Sequence, residues 1–301
     1  MAISASSAPV RIRRRLSAFL YRRRWLKVVL LLLPPLGWMA VVYLASLGVL
    51  LATAFWQQNV LTGEIERVFT WNNLVAVKDT DVIHSVAWHT VLMAVVVTVT
   101  DILLAFPLAY YMVRIASPRL RALMFVAVLM PLWSSYLIKA YTWRLMTGDA
   151  GTINWLFGKA GLGPFDLAFS YAAMWLAFTY IWLPYMVLPI FAALDRIPGS
   201  LLEASGDLGA RAGRTFRRVV LPLALPGVAA GSIFTFSLTL GDYILPDLVG
   251  GAHYDFLGNL VYRYQGVANN LPLAAAIALV PVGVIVLYLL LMKRLGAFEA
   301  L

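Results

Sequence analysis

The chain has 301 residues, of which 62% are hydrophobic and 13% charged, with a formal net charge of +10 and no cysteine. That composition excludes an ordinary soluble domain, and the missing thiols exclude a disulfide framework and a thiolate metal site. The apolar residues come in runs with basic residues between them, so the positive balance points to a membrane surface and not to nucleic acid.

In chain order, residues 1–27 form a basic tail, followed by apolar runs near 28–55, 89–113, 122–144, 168–194, 219–245 and 271–292 and a short tail at 293–301. At about 20 residues per helical span, this predicts an all-α membrane protein with six transmembrane helices. The first run follows basic residues as a signal peptide would, and Ala52-Thr53-Ala54 imitates a cleavage site. Its length of about 24 residues exceeds the roughly 7–15 of a signal core, so it is expected to remain as an anchor. Residues 56–88, acidic at Glu64, Glu66, Asp79 and Asp81, are expected outside as a partly helical or extended cap. Of the 24 Lys and Arg residues, 18 fall in the N-terminal tail, at 114–121, at 195–222 and at Lys293-Arg294. Positive segments stay on the cytoplasmic side, which predicts that both termini are cytoplasmic. Prolines at 34, 35, 107, 131, 184, 189, 222, 226 and 281 lie in or beside the spans, where each removes a helix hydrogen bond and can bend its helix.

The polar segment 195–222 carries the strongest pattern. Ser200-Leu201-Leu202-Glu203 has the spacing of a capping box, which predicts a short helix starting at Leu201. Gly209 stands where that helix would end in the left-handed conformation. Beyond it, Arg211, Arg214 and Arg218 share a helical face with Arg217 adjoining, suited to phosphate or to carboxylates. Glu203-Ala204-Ser205, Gly209, Val219 and Leu221-Pro222 together resemble, in order and spacing, the coupling loop of ATP-binding-cassette importer permeases, with Ser205 and Val219 replacing the usual Ala and Ile.

Other segments resemble the polyamine branch of that family, the spermidine and putrescine importers. They are Phe106-Pro107-Leu108-Ala109-Tyr110, the run from Pro131 to Trp143, Gly151-Thr152-Ile153-Asn154, and Gly241 to Pro246 with Gly250-Gly251. The resemblance implies a type I importer permease fold with a cytoplasmic coupling helix in a bacterial inner membrane. It also implies a second permease chain of different sequence, two cytoplasmic ATPase subunits that bind the ATP and Mg, and an external solute-binding protein. This chain would hold no cofactor and catalyse nothing; it lacks the Gly-x-x-x-x-Gly-Lys-Ser/Thr loop that cradles phosphates. Ser200, Glu203, Ala204, Gly209, Arg211 and Arg214 would then face the ATPase.

Two carboxylates fall within spans, Asp101 and Asp242, and either could be a transient partner for a polycation. Asp101 could instead hydrogen-bond Thr98, Thr100 or a neighbouring helix. Trp133, Tyr136, Tyr141 and Trp143 could pass an ammonium group by cation–π attraction, and Tyr243 beside Asp242 is counted with the same pathway; the competing reading is an interfacial aromatic belt. Lys139 would repel a polyamine unless it points away. The alternatives to a polyamine importer are the same machine for another small solute, such as an organophosphonate, an opine-like compound or ferric iron, and an ATPase-independent secondary transporter or channel.

Overall fold

The structure is a computed structural model that describes residues 24–59, 62–251 and 254–294; the basic residues ahead of Arg24 and the tail beyond Arg294 lie outside them. The chain divides into two units, Met1–Thr53 and Ala54–Leu301. In the first, α1 (Arg24–Met39) runs through a π-helical turn at Ala40–Leu44 into α2 (Ala45–Thr53). Its residues Val28–Thr53 are long and apolar enough to cross a bilayer, and Pro34 and Pro35 stand inside α1.

The second unit opens with a two-stranded ribbon. β1 (Gln57–Gln58) pairs antiparallel with β2 (Ile65–Glu66). Phe55, Phe69 and Trp71 pack ring against ring below it, with centroids 5.1–5.5 Å apart. Asn73, in α3 (Asn72–Asp79), donates to the carbonyls of Ala54 and Trp56 at 2.9 and 2.8 Å. This small cap leads into α4 (Asp81–Arg114), whose 34 residues extend about 51 Å, well beyond the roughly 30 Å hydrocarbon core.

Three helices form the centre of this unit: α4, then α8 (Tyr171–Asp195) and α11 (Leu221–Leu240). α4 buries Val97, Asp101, Ala105, Ala109 and Met112, a single stripe at helical spacing. α8 and α11 meet through Gly227 and Gly231, four residues apart on one face. A Cβ at Gly227 would lie 2.5 Å from Ala193 Cβ and 2.6 Å from the Pro189 carbonyl oxygen, and one at Gly231 would lie 2.8 Å from Met186 Sδ. Small residues at this spacing let two helix backbones touch, the main source of association where lipid offers no hydrophobic contrast.

Between α4 and α8 the expected third span at 122–144 is broken in two. α5 (Pro118–Trp133) and α6 (Tyr136–Thr147) are separated by Ser134 and Ser135 in extended conformation. The axis from α5 onward through residues 136–159 turns by 96°. Hydropathy cannot register such a break, because both halves are apolar. Its cause is local: α5 stops at Trp133, which leaves the Pro131 carbonyl among the last-turn acceptors that need partners from outside the helix, and it accepts from Ser134 Oγ and from Lys139 Nζ, both at 2.9 Å. Among the described residues five helices are each long and apolar enough to cross, and the bent pair supplies a sixth crossing when counted as one.

α7 (Thr152–Lys159) begins the turn that leads back to α8. Asn154 closes that turn, donating to Phe165 O at 3.0 Å and accepting from Phe165 N at 2.9 Å. Gly151 is required there, since a Cβ would fall 2.4 Å from the Met146 carbonyl oxygen. After α11 the chain makes a π-helical turn at Pro246–Gly250, then α12 (Leu257–Gly266), which packs against α13 (Leu271–Arg294).

Substituting Gly227 by Ala forces one methyl into the α8–α11 contact. Gly283→Ala, where a Cβ meets nothing within 4 Å, is the matched control. Thermal unfolding in detergent should show Gly227→Ala destabilised by about 1–3 kcal/mol, with Gly283→Ala unchanged or slightly stabilised.

Candidate functional site

The polar segment 195–222 folds as two short helices tied to the membrane core. α9 (Gly199–Asp207) is followed by α10 (Ala212–Thr215) and a π-helical turn at Phe216–Val220 that runs into α11. The approach to α9 is held by arginines from other helices. Arg114 Nη2 donates to the carbonyls of Leu194 and Ile197 at 3.0 and 2.7 Å. Arg121 pairs with Asp195 at 2.8 Å and lies 4.8 Å from the Phe191 ring centroid. A cation on the last carbonyls of a helix complements its dipole as well as its hydrogen bonding. Read in sequence these arginines signal only topology, since nothing in their spacing announces a carbonyl some eighty residues away.

The capping box expected at Ser200 and Glu203 does not form. α9 starts at Gly199, its N-cap is Pro198 with extended backbone, and no side chain caps it. With the start two residues earlier, Ser200 already lies inside the first turn and its hydroxyl is displaced from the capping position. Arg114 fixes Ile197 and the proline ring fixes φ at Pro198, so tertiary anchoring overrides the local signal. Glu203 is consequently exposed, as are Ser200 and Ala204. The other end closes as a Schellman motif: Gly209 has φ +77°, Gly209 N–H donates to Gly206 O at 2.8 Å and Ala210 N–H to Ser205 O at 3.0 Å.

Ser205 Oγ and Thr215 Oγ1 lie 2.9 Å apart, a strut between α9 and the run into α11 that sequence reading passed over as a mild departure. Leu202 turns inward onto the core cluster containing Ile197 and Val220, whereas Leu208 is 88% exposed and Leu201 is also exposed. Arg211 precedes α10 as its N-cap and is exposed, as is Arg214. The result is a stiff peg presenting two carboxylates, Glu203 and Asp207, two leucines and a basic flank.

A second constellation lies at the far end of α11. Asp242 Oδ1 accepts from the N–H groups of Ile244 and Leu245 at 2.8 and 3.1 Å, and its Oδ2 accepts from the Tyr136 hydroxyl. Tyr136 stacks on Trp182 with centroids 5.8 Å apart. Trp182 meets Tyr185 edge-on at 5.8 Å, and Tyr185 approaches Phe234 at 6.5 Å. An aromatic line therefore leads from the Asp242 carboxylate to Phe234, which is exposed. Trp182 and Tyr185 were not picked out from the sequence; their place in mid-span, away from any interface, is the signal that could have found them.

The remaining expected residues lie apart from this line. Trp133 is 89% exposed and Trp143 packs on Tyr180. Tyr243 stacks on Tyr262 at 5.2 Å, while its carbonyl accepts from Asn259 at 2.8 Å. Lys139 is turned to the Pro131 carbonyl. Asp101 is fully buried, and among the described residues neither carboxylate oxygen has a partner. Thr98 and Thr100 do not supply one: both bond their own helix, and Thr100 also accepts from Trp175.

Residues 2–297 match the family described as the binding-protein-dependent transport system inner membrane component. This chain belongs to that family. The inner membrane ABC transporter permease protein YdcU of Escherichia coli is 46% identical over 300 residues, covering 95% of both chains. The spermidine/putrescine transport system permease protein PotB of Haemophilus influenzae is 31% identical over 196 residues, 64% of this chain and 68% of that protein. Among solved structures, the bacterial alginate ABC transporter in complex with an alginate pentasaccharide-bound periplasmic protein aligns with a TM-score of 0.70 at 16% identity, covering 95% of this chain and 98% of that one. The MetNI methionine ABC transporter aligns at 0.54 and 20% identity, covering 73% and 96%. These structural likenesses establish the fold, that of a type I importer permease. The protein is an inner-membrane, multi-pass transport subunit of the ABC importer class and not an enzyme.

The Arg114 clamp has a measurable consequence. Arg114→Gln should speed amide exchange at residues 196–200 by about ten- to a hundredfold, from loss of roughly 1.5–3 kcal/mol of charge-assisted hydrogen bonding, while Arg119→Gln, at an exposed position, should leave it unchanged. Hydrogen exchange read by mass spectrometry on the reconstituted protein checks this.

Proposed function

We propose that this permease carries polyamines of the spermidine or putrescine kind into the cytoplasm by alternating access, driven by a separate ATPase. The observation that carries the substrate class is the Asp242–Tyr136–Trp182–Tyr185–Phe234 line. A carboxylate at one end attracts an ammonium group, and successive ring faces pass it on by cation–π attraction of about 0.5–2 kcal/mol each, strong enough to guide and weak enough to release. Lys139, the nearby cation, is spent on a backbone carbonyl. Asp101, sealed between α4, α8 and α11 in this conformation, would meet the cation only when those helices part. The likeness to PotB supports the same substrate class.

The peg at α9 would dock on the ATPase, with Glu203, Leu201 and Leu208 offered to its surface and Arg211 and Arg214 at the flank. ATP and Mg would be bound by that ATPase and no cofactor by this chain. The assembly would hold a second, different permease chain, two ATPase subunits and an external solute-binding protein, with both termini of this chain and the 195–222 loop on the cytoplasmic side. Alternating access supplies the need for bent helices, and the break between α5 and α6 lies beside the Tyr136 end of the aromatic line.

Two measurements in vesicles containing the whole system test this reading. Asp242→Asn keeps an oxygen for the Ile244 and Leu245 N–H groups but removes the charge; it should cut polyamine uptake at least about tenfold, equivalent to roughly 1.4 kcal/mol, with assembly intact. Uptake at the wild-type rate would remove Asp242 from the pathway. Glu203→Ala should abolish ATP-driven uptake while amide exchange within α9 stays unchanged, because Glu203 caps nothing in its own helix. Faster exchange in α9 accompanying the loss would instead make Glu203 a purely structural residue.

A further inference from the structure

We propose that the start of the fifth span is a binding site for one anionic phospholipid, its phosphate held by Arg214, Arg217 and Arg218 and one acyl chain laid along α4. The inference starts from a cavity of about 690 Å³ lined by Gly213, Arg214, Arg217 and Arg218. Three arginines line it, and among the described residues none of them is ion-paired; the nearby salt bridge, Arg121–Asp195, uses another arginine. Positive-inside topology accounts for arginines on this side of the membrane, but not for three of them facing one space with no acid to balance them. Guanidinium groups match phosphate oxygens in geometry and charge.

The second observation is what adjoins that cavity. An apolar groove of about 660 Å³ runs along the same helices, lined among others by Ile102, Phe106, Tyr110, Ile115, Phe216 and Leu225. The linings of the two hollows interleave along one stretch of chain: Phe216 and Leu221 line the groove, and Arg217 and Arg218 between them line the basic cavity. Phe216 is held in place by edge-on contacts with Phe106 and Tyr110 at 5.6 and 6.1 Å. The π-helical turn Phe216–Val220, with Leu221 N–H bonded to Phe216 O, brings both Phe216 and Leu221 to the groove while Arg217 and Arg218 stay exposed. From Ile102 to Ile115 the groove extends about 20 Å along α4, enough for an acyl chain filling one leaflet of a roughly 30 Å core.

A charged hollow and an apolar groove of one-leaflet length, lined by alternating residues of the same helical turn, together have the chemistry of a lipid with an anionic head. A free phosphate would use only the first hollow, and a transmembrane helix of the paired permease only the second. The site is independent of the solute carried; Arg214 stands where the lipid site adjoins the ATPase flank, and Arg211, which does not line the cavity, serves that flank alone. Bound there, the lipid would pin the root of the peg to the cytoplasmic leaflet, where each basic residue near the surface gains about 1 kcal/mol from anionic lipid.

The test is lipid retention by the assembled transporter, read by native mass spectrometry after exchange into detergent with phosphatidylglycerol or phosphatidylcholine. The wild type should keep one phosphatidylglycerol and no phosphatidylcholine. Arg214→Gln/Arg217→Gln/Arg218→Gln should lower retention at least tenfold, and Leu225→Trp, which fills the groove without touching charge, should lower it too. Arg119→Gln should not. Retention that survives both the triple variant and Leu225→Trp would overturn the site. So would full displacement by millimolar inorganic phosphate with Leu225→Trp without effect, which would mark a free-anion site instead. Loss of both lipids equally would mean no headgroup selection and would also overturn it.

Discussion

A helix that breaks inside a membrane protein must find partners for the backbone groups it frees, since hydrocarbon offers none. In this chain three helix ends are secured by polar side chains, two from nearby in sequence and one from a distant helix. Lys139 and Ser134 hold the Pro131 carbonyl at the break between α5 and α6. Arg114 holds Leu194 and Ile197 at the end of α8. Asp242 takes the N–H groups of Ile244 and Leu245 beyond α11. A carbonyl or N–H left bare in such surroundings costs several kcal/mol, so these few charged residues decide where the helices stop, and with that where the peg and the aromatic line stand.

The glycine contact between α8 and α11 then sets the distances. With Gly227 and Gly231 bringing the two backbones together, Trp182 and Tyr185 on α8 and Phe234 on α11 come within ring-contact range. The same α8 ends at Asp195, whose pairing with Arg121 fixes the stem from which α9 projects. One helix pair therefore carries both the ring residues and the stem of α9, with Trp182 and Tyr185 in mid-helix and Asp195 at the end of α8.

Local signals were legible wherever the backbone itself makes the demand. Gly209 is needed because the Schellman turn places φ at +77°, and Asn154 with Gly151 because their turn admits no Cβ and needs both amide functions. They misled where a distant residue competes. The Ser200–Glu203 spacing satisfies a capping box, yet Arg114 and Pro198 set the helix start two residues earlier. The run 122–144 is apolar enough for one span, yet a lysine four residues past the break stabilises a bend of 96°.

Composition and order by themselves determined that this chain lives in a membrane, how many apolar crossings it offers, and that segment 195–222 has the pattern of an importer coupling loop. Those properties follow from solvation and from short-range backbone geometry, which neighbouring residues carry in full. Only the tertiary structure decided which carboxylate meets a tyrosine, which is sealed without a partner, which arginines clamp carbonyls and which remain free around a cavity. Side-chain partners such as Tyr136 and Asp242, 106 residues apart, are chosen by the packing of helices whose apolar faces look alike in sequence, so their pairing exists only once the glycine contacts have set the helices side by side.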